Sequence, residues 1–423
     1  MLYYIIRPLT HFGLLAFCKN IYLSNTECLP KDRPVILACN HPSAFLEPCV
    51  IASFMKRPLH FLVRGDFFRH PFYRKLMYSL HLIPIYRSTN ADYKDLKKNV
   101  GLMDIIGQKL NENITLMILV EGSASVKKGL RPIQKGIARL AFDVYEKYGR
   151  EDLEIIPVGA NFDYPTQFRL TPMINLGERI LIKEYLTDYQ ENKSKAVRQL
   201  MLDVQAGMRQ NIIHVEQEED EELIEQQLLL YRNEERFTRF PIVKRDAERL
   251  KKEIQIAEQI NQLPAENKST LKQFTTDYFD QLQQQDLSDK AFFISKRWWR
   301  LPFLIFGLPL FIIGTLFNFP PIKMADQIAK KNVKKIQYYI PVVWAISNFG
   351  YFLYWQLLLL LTYFFLPQIW IWLTLSLPLL GYFSIIYKEQ LEQWKELQKF
   401  KQLEISERQE LKQKRRDCYL TVK

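Results

Sequence analysis

The sequence predicts an α/β domain, a mixed sheet flanked by helices, followed by a helical charged region and a C-terminal α-helical membrane region. Three observations carry this reading. Up to residue 190, short apolar runs bounded by turn residues alternate with helix-length segments. Residues 191–295 are rich in Glu, Gln, Lys and Arg, with Leu and Ile at helical spacing. The apolar residues then concentrate between Leu301 and Tyr387.

Bulk properties narrow the class. With 423 residues the chain has room for one large or two medium domains. A net charge of +12 beside long apolar segments suits a membrane protein facing an anionic leaflet, with membrane lipids as partners. No zinc-finger spacing, RNP-like aromatic motif or basic heptad helix occurs, so no nucleic-acid partner is expected. The five cysteines are odd in number and form no CxxC, which favours a reducing compartment without a disulfide framework or metal site.

Residues 1–30 open on MLYYIIRPLTHFGLLAFCKN, which lacks a basic leader and a small-residue cleavage site. It reads either as an interfacial helix along a bilayer or as the first helix of the core. Residues 31–190 form the α/β domain. Its strands are expected at 34–40, 59–63, 82–86, 114–120, 153–160 and 172–177, with helices at 92–110 and 135–148. Residues 191–295 read as long solvated helices, a spacer or lid, broken near Pro241 and Pro264. Residues 296–387 form the membrane region. Spans are expected at 339–366 and 368–387, each long enough for a hydrocarbon core of about 30 Å. The 301–319 segment is shorter, broken by Pro302, Gly307, Pro309 and Gly314, and basic on both flanks, so it reads as re-entrant or interfacial. Residues 388–423 read as a charged cytoplasmic helix with Leu391, Trp394, Leu397, Phe400 and Leu403 on one side.

The chemistry points to Asn40-His41-Pro42-Ser43-Ala44-Phe45-Leu46-Glu47-Pro48, directly after the first expected strand of the domain. A histidine delivered at a strand end, with a carboxylate six residues on, forms a hydrogen-bonded dyad when the turn closes. The carboxylate holds one ring nitrogen as a donor and leaves the other as a base.

Three further stretches fit one family together with this one. NHPSAFLEP resembles the histidine–aspartate motif of the glycerolipid acyltransferases, the lysophosphatidic-acid and glycerol-3-phosphate acyltransferase superfamily. HLIPIYRS (81–88) resembles their second motif, ILVEGSASVKKGLRPIQKGIARLAF (118–142) their third and IIPVGAN (155–161) their fourth. Order and separation match over roughly residues 30–185. The C-terminal membrane segments resemble one glycerol-3-phosphate acyltransferase branch. The resemblance implies an enzyme that moves a fatty acyl group from acyl-CoA or acyl carrier protein to a hydroxyl of glycerol-3-phosphate or a lysophospholipid. It implies His41 as general base and Glu47 as its orienting partner, with no acyl-enzyme. It implies Arg87, Glu121, Gly122, Ser123, Arg131 and Lys135 as substrate-binding residues, the arginines and lysine toward the acceptor phosphate. Glu121 is left between contacting the glycerol hydroxyl and organising the arginines. No cofactor is implied beyond the acyl thioester itself. The catalytic domain is expected on the cytoplasmic face of an integral membrane protein.

The chain departs from the family in Glu47, where a shorter Asp is usual, and in Val120, where proline is usual. One extra methylene moves a carboxylate by ~1.5 Å. These departures leave an alternative of another class, a catalytically reduced scaffold that binds acyl chains or anionic lipid. Aromatic residues at Phe67, Phe68, Phe72, Tyr73 and Tyr78 are expected either to line an acyl tunnel or to pack in the core.

Overall fold

The computed structural model describes residues 2–86, 93–235 and 238–420. Two compact units emerge. The first comprises Met1–His214, Arg239–Lys251 and Lys334–Pro341; the second comprises Val215–Thr238, Lys252–Val333 and Val342–Lys423.

The first unit is built on a mixed sheet, nine-stranded among the described residues. Its strands are β1 (Ile21–Ser24), β2 (Val35–Cys39), β3 (Leu59–Arg64), β4 (Leu82–Ile85), β5 (Thr115–Leu119), β6 (Glu154–Phe162), β7 (Pro172–Leu176), β8 (Ile180–Leu181) and β9 (Val243–Lys244). The spatial order is β4-β3-β5-β2-β6-β7-β1-β9, with β8 also on β6. β2 is central and parallel to both β5 and β6, while β7 runs antiparallel to β6. The six apolar runs expected as strands are all present, each within two residues at either end. β2 and β6 are buried along their whole lengths, as a strand covered on both faces requires.

Helices cover the sheet. The first unit holds α1 (Leu2–Phe17), α2 (Leu46–Phe54), α3 (Pro71–Ser79), α4 (Tyr93–Asn111), α5 (Gly136–Tyr148), α6 (Leu186–Glu191) and α7 (Lys193–Arg209). Ile36 and Ala38 of β2 point with Leu116 of β5 into a core with Ile137, Ala141 and Phe142 of α5 and Leu200 and Val204 of α7. Burying each such Leu or Phe side chain contributes about 1.5–3 kcal/mol. α1 packs on α2, burying Tyr3, Leu14 and Phe17, and turns Tyr4, Ile5 and Phe12 outward. Of the aromatics near 70, Phe68 is buried and Phe72, Tyr73 and Tyr78 are exposed on α3, while the side chain of Phe67 lies outside the described residues.

In the second unit lie α8 (Glu221–Glu234), most of α9 (Glu248–Gln262), α10 (Ala265–Gln284), α11 (Arg300–Asn332), most of α12 (Ile336–Phe365), α13 (Ile369–Gln402) and α14 (Ile405–Leu420). α11, α12 and α13 are each long and apolar enough to cross a membrane. The expected 301–319 segment is part of one continuous helix, α11, that runs on through Pro309, Pro320 and Pro321. α11 crosses α13 closely at Gly314, where an added Cβ would lie 2.3 Å from Ser384 Oγ. The expected helix from 388 is instead the continuation of α13 to Gln402, followed by the separate α14. Leu230, Tyr278, Leu282, Leu411 and Cys418 form one core, so the chain before α11 packs against the chain after α13. Arg415 seals it, its Nε donating to Asp289 Oδ1 at 2.7 Å and Nη1 to Glu234 Oε1 at 2.7 Å.

Candidate active site

In an open sheet of this kind ligands gather beyond the carboxyl ends of the strands. The register brings the first and third motifs together there. Cys39 pairs with Leu119, and the ladder continues with Val120 N–H donating to the Cys39 carbonyl at 3.0 Å. Two residues further along both chains, His41 stands opposite Glu121.

His41 and Glu47 are brought into contact by a tight turn. Ala44 sits at φ 45°, a left-handed conformation that costs a non-glycine residue about 1–3 kcal/mol and persists because the turn is buried around it. The turn starts α2, whose first-turn Glu47 points back at the histidine. His41 Nδ1 is hydrogen-bonded to Glu47 Oε1. A carboxylate only accepts, so the bond fixes Nδ1 as the protonated nitrogen and leaves Nε2 free to take a proton. His41 is 8% exposed and Glu47 is 0% exposed. Glu47 Oε2 is buried without a partner among the described residues.

The third-motif loop grips the histidine's backbone. His41 N–H donates to Glu121 Oε2 at 2.9 Å, and Ser125 N–H donates to the His41 carbonyl at 3.0 Å. Glu121 in turn takes Arg131 N–H on Oε1 at 2.8 Å and Arg131 Nη2 on Oε2 at 2.7 Å. Arg131 Nη1 donates to Ser123 Oγ at 2.9 Å. Glu121 therefore holds Arg131, and it also lines the neighbouring cleft. Gly122, at φ 76°, supplies the left-handed step between them. Lys135 is exposed at the start of α5. Arg87 lies outside the described residues.

Sequence reasoning missed Asn40. Its Nδ2 donates to the Ala160 carbonyl at 2.8 Å and its Oδ1 accepts from Ala160 N–H at 2.7 Å, replacing a strand pairing where β2 ends. The signal lay in the residue immediately before His41, an amide that offers both a donor and an acceptor. Asn161, in the fourth motif, holds the Asn211 carbonyl at 2.9 Å and Ile213 N–H at 2.9 Å. That segment passes so near Gly159 that an added Cβ would lie 1.9 Å from the Asn211 oxygen, which demands glycine there. A shallow, open cleft lies here, lined by Asn40, Pro42, Glu121, Ser125, Lys127, Lys128, Phe162 and Ile213 among others. Two thiols flank the dyad. Burial, with the Glu47 charge next, pushes Cys39 well up and Cys49 to about 12, so neither is a thiolate nucleophile at neutral pH.

This geometry coincides with a family match: residues 20–161 match the family model described as Acyltransferase. The chain carries an acyltransferase domain of the phospholipid/glycerol acyltransferase superfamily. Over 105 residues the chain is 28% identical to glycerol-3-phosphate O-acyltransferase 1 of Saccharomyces cerevisiae. That match covers 24% of this chain and only 14% of the yeast protein. The chain is also similar to the 1-acyl-sn-glycerophosphate (LPA) acyltransferase PlsC of Thermotoga maritima, at 17% identity and a TM-score of 0.33. The similarity covers 47% of this chain and 80% of that one, and is too distant to carry any residue across.

Proposed function

We propose that the protein transfers a fatty acyl group from an acyl thioester, acyl-CoA or acyl carrier protein, to a hydroxyl of glycerol-3-phosphate or a lysophospholipid. The observation that carries the reading is the buried His41–Glu47 contact, with His41 between Asn40 and Pro42 of the cleft wall. His41 Nε2 takes the proton of the acceptor hydroxyl as that oxygen attacks the thioester carbonyl. The tetrahedral adduct collapses, the carbon–sulfur bond breaks, and the departing thiolate takes the proton back from His41. An ester and a free thiol result, with no acyl-enzyme and no metal or cofactor required. Lys127, Lys128, Lys135 and Arg87 supply positive charge for the phosphates of acceptor or donor. The length of Glu47 counts for a working dyad and against a reduced scaffold, since its Oε1 meets His41 Nδ1.

The same reading places the catalytic domain on the cytoplasmic side. The chain before α11 and the chain after α13 share one core, so an even number of crossings separates them. Lys334 and Lys335, just before α12, belong to the catalytic unit. On this reading α12 and α13 span as a hairpin and the 301–319 part of α11 is re-entrant or interfacial, because basic residues flank it on both sides. Lys334 and Lys335, with Lys330 and Lys331 before them, favour the cytoplasm for the catalytic unit under the positive-inside rule.

Purified protein in lipid is expected to release thiol from an acyl thioester only when an acceptor hydroxyl is added. Thiol release at the same rate without acceptor would contradict the transfer and indicate a thioesterase.

A further inference from the structure

We propose that Gln337, in the first turn of α12, is a positioning residue for His41. Gln337 Nε2 donates to the Ala124 carbonyl at 3.2 Å. The N–H of the same peptide group, that of Ser125, donates to the His41 carbonyl at 3.0 Å. One rigid peptide plane is therefore held at one end by the start of a membrane-length helix and at the other by the histidine. Glu121, three residues earlier in the same loop, holds the His41 N–H. Both backbone polar groups of His41 thus rest on the 121–125 loop, and Gln337 stops the 124–125 plane from rotating. Ala124 is buried and leads into the cleft wall at Ser125, where no side chain of its own can do this work.

Release of the Ala124 carbonyl frees the plane, removes the donor from His41 O and lets the imidazole drift against Glu47. Catalysis is sensitive to such drift, since a misplacement of about 1 Å costs about 100-fold. Binding of donor and acceptor, which does not pass through Gln337, is left alone. The inference rests on the reading of His41 as the base.

The test uses the full chain in lipid nanodiscs, with Gln337→Ala, Gln337→Glu and Gln337→Lys beside His41→Ala. Lysine still donates at nearly the same reach, and glutamate sets an acceptor against an acceptor. Two readouts are taken: kcat and KM for donor and acceptor, and amide exchange of the peptide spanning 118–130. The expected order of kcat is wild type, then Gln337→Lys, Gln337→Ala and Gln337→Glu. The last should fall by about tenfold or more with KM within about twofold, and exchange at Ser125 should rise by about tenfold. Wild-type kcat and wild-type exchange in Gln337→Glu overturn the proposal. So does a loss shared equally by all three variants with a matching fall in Tm, which marks a merely structural residue. If His41→Ala retains full turnover, or the wild type has none, the functional reading fails by itself; the exchange measurement then decides the clamp alone.

Discussion

The backbone N–H of His41 donates to Glu121 Oε2 at 2.9 Å, so the candidate base is held by the third-motif loop as well as by Glu47. The same carboxylate binds Arg131 through both its backbone and its guanidinium. Arg131 is thereby committed within the protein before any substrate arrives.

That commitment separates two roles for Arg131. An arginine that only bound the acceptor phosphate would raise acceptor KM when replaced. An arginine that holds Glu121 against His41 would lower kcat. Arg131→Ala is expected to lower kcat by about 10²-fold, with acceptor KM changed far less, and to lower Tm, because it strands a 2%-exposed carboxylate at a cost of about 1–3 kcal/mol. Steady-state kinetics against both substrates checks this, and a change confined to acceptor KM would contradict it.

The length of Glu47 is matched to this turn. Glu47→Asp withdraws the carboxylate by ~1.5 Å from Nδ1 and is expected to lose about 100-fold in kcat, although Asp is the residue usual in the family. An equal or faster rate in Glu47→Asp would show that the turn relaxes to suit the shorter acid.

Acid should weaken the first unit through a stacked histidine pair. His60 and His81 lie with ring centroids 4.5 Å apart, each with a buried Nδ1 lacking a partner among the described residues. Burial, then the neighbouring His81, pushes His60 down to about 4 from an ordinary 6.5, and burial also lowers His81. The unfolded chain therefore binds more protons between those values. The stabilisation is complete above pH 6.5 and is lost as pH falls toward 4. Tm measured across that range should drop steeply for the wild type and less for His60→Phe. Parallel curves would contradict the assignment.

The membrane arrangement is also testable. Single cysteines at Lys335 and Gln368, in a background without the natural cysteines, should label from opposite faces of sealed vesicles. Labelling of both from the same face would remove the α12–α13 hairpin.

Much of this was legible in the sequence, for physical reasons. β2 and β6 are largely apolar runs because both faces are covered, and such runs stand out without any partner being known. β1 and β9 did not, since four and two residues carry no period. His41 and Glu47 were found because they are six residues apart in one turn. Asn40, adjacent to them, was passed over because its worth lies in Ala160, 120 residues away. Gln337 was invisible for the same reason, its partner lying 213 residues back. The prolines and glycines of 301–319 read as breakers, yet α11 stays helical through them, because neighbouring helices tolerate what water would not. In the charged tail, Arg415 looked like one more solvated charge until Asp289 and Glu234 met it.

The central claim is that His41 is the base of an acyl transfer, and thiol release by wild type and His41→Ala measures it most directly. The assay offers glycerol-3-phosphate and lysophosphatidate side by side, with the same acyl thioester. Wild type is expected to turn over at least one acceptor. His41→Ala should lose about 10²–10⁴-fold in kcat. Full turnover by His41→Ala would contradict the account.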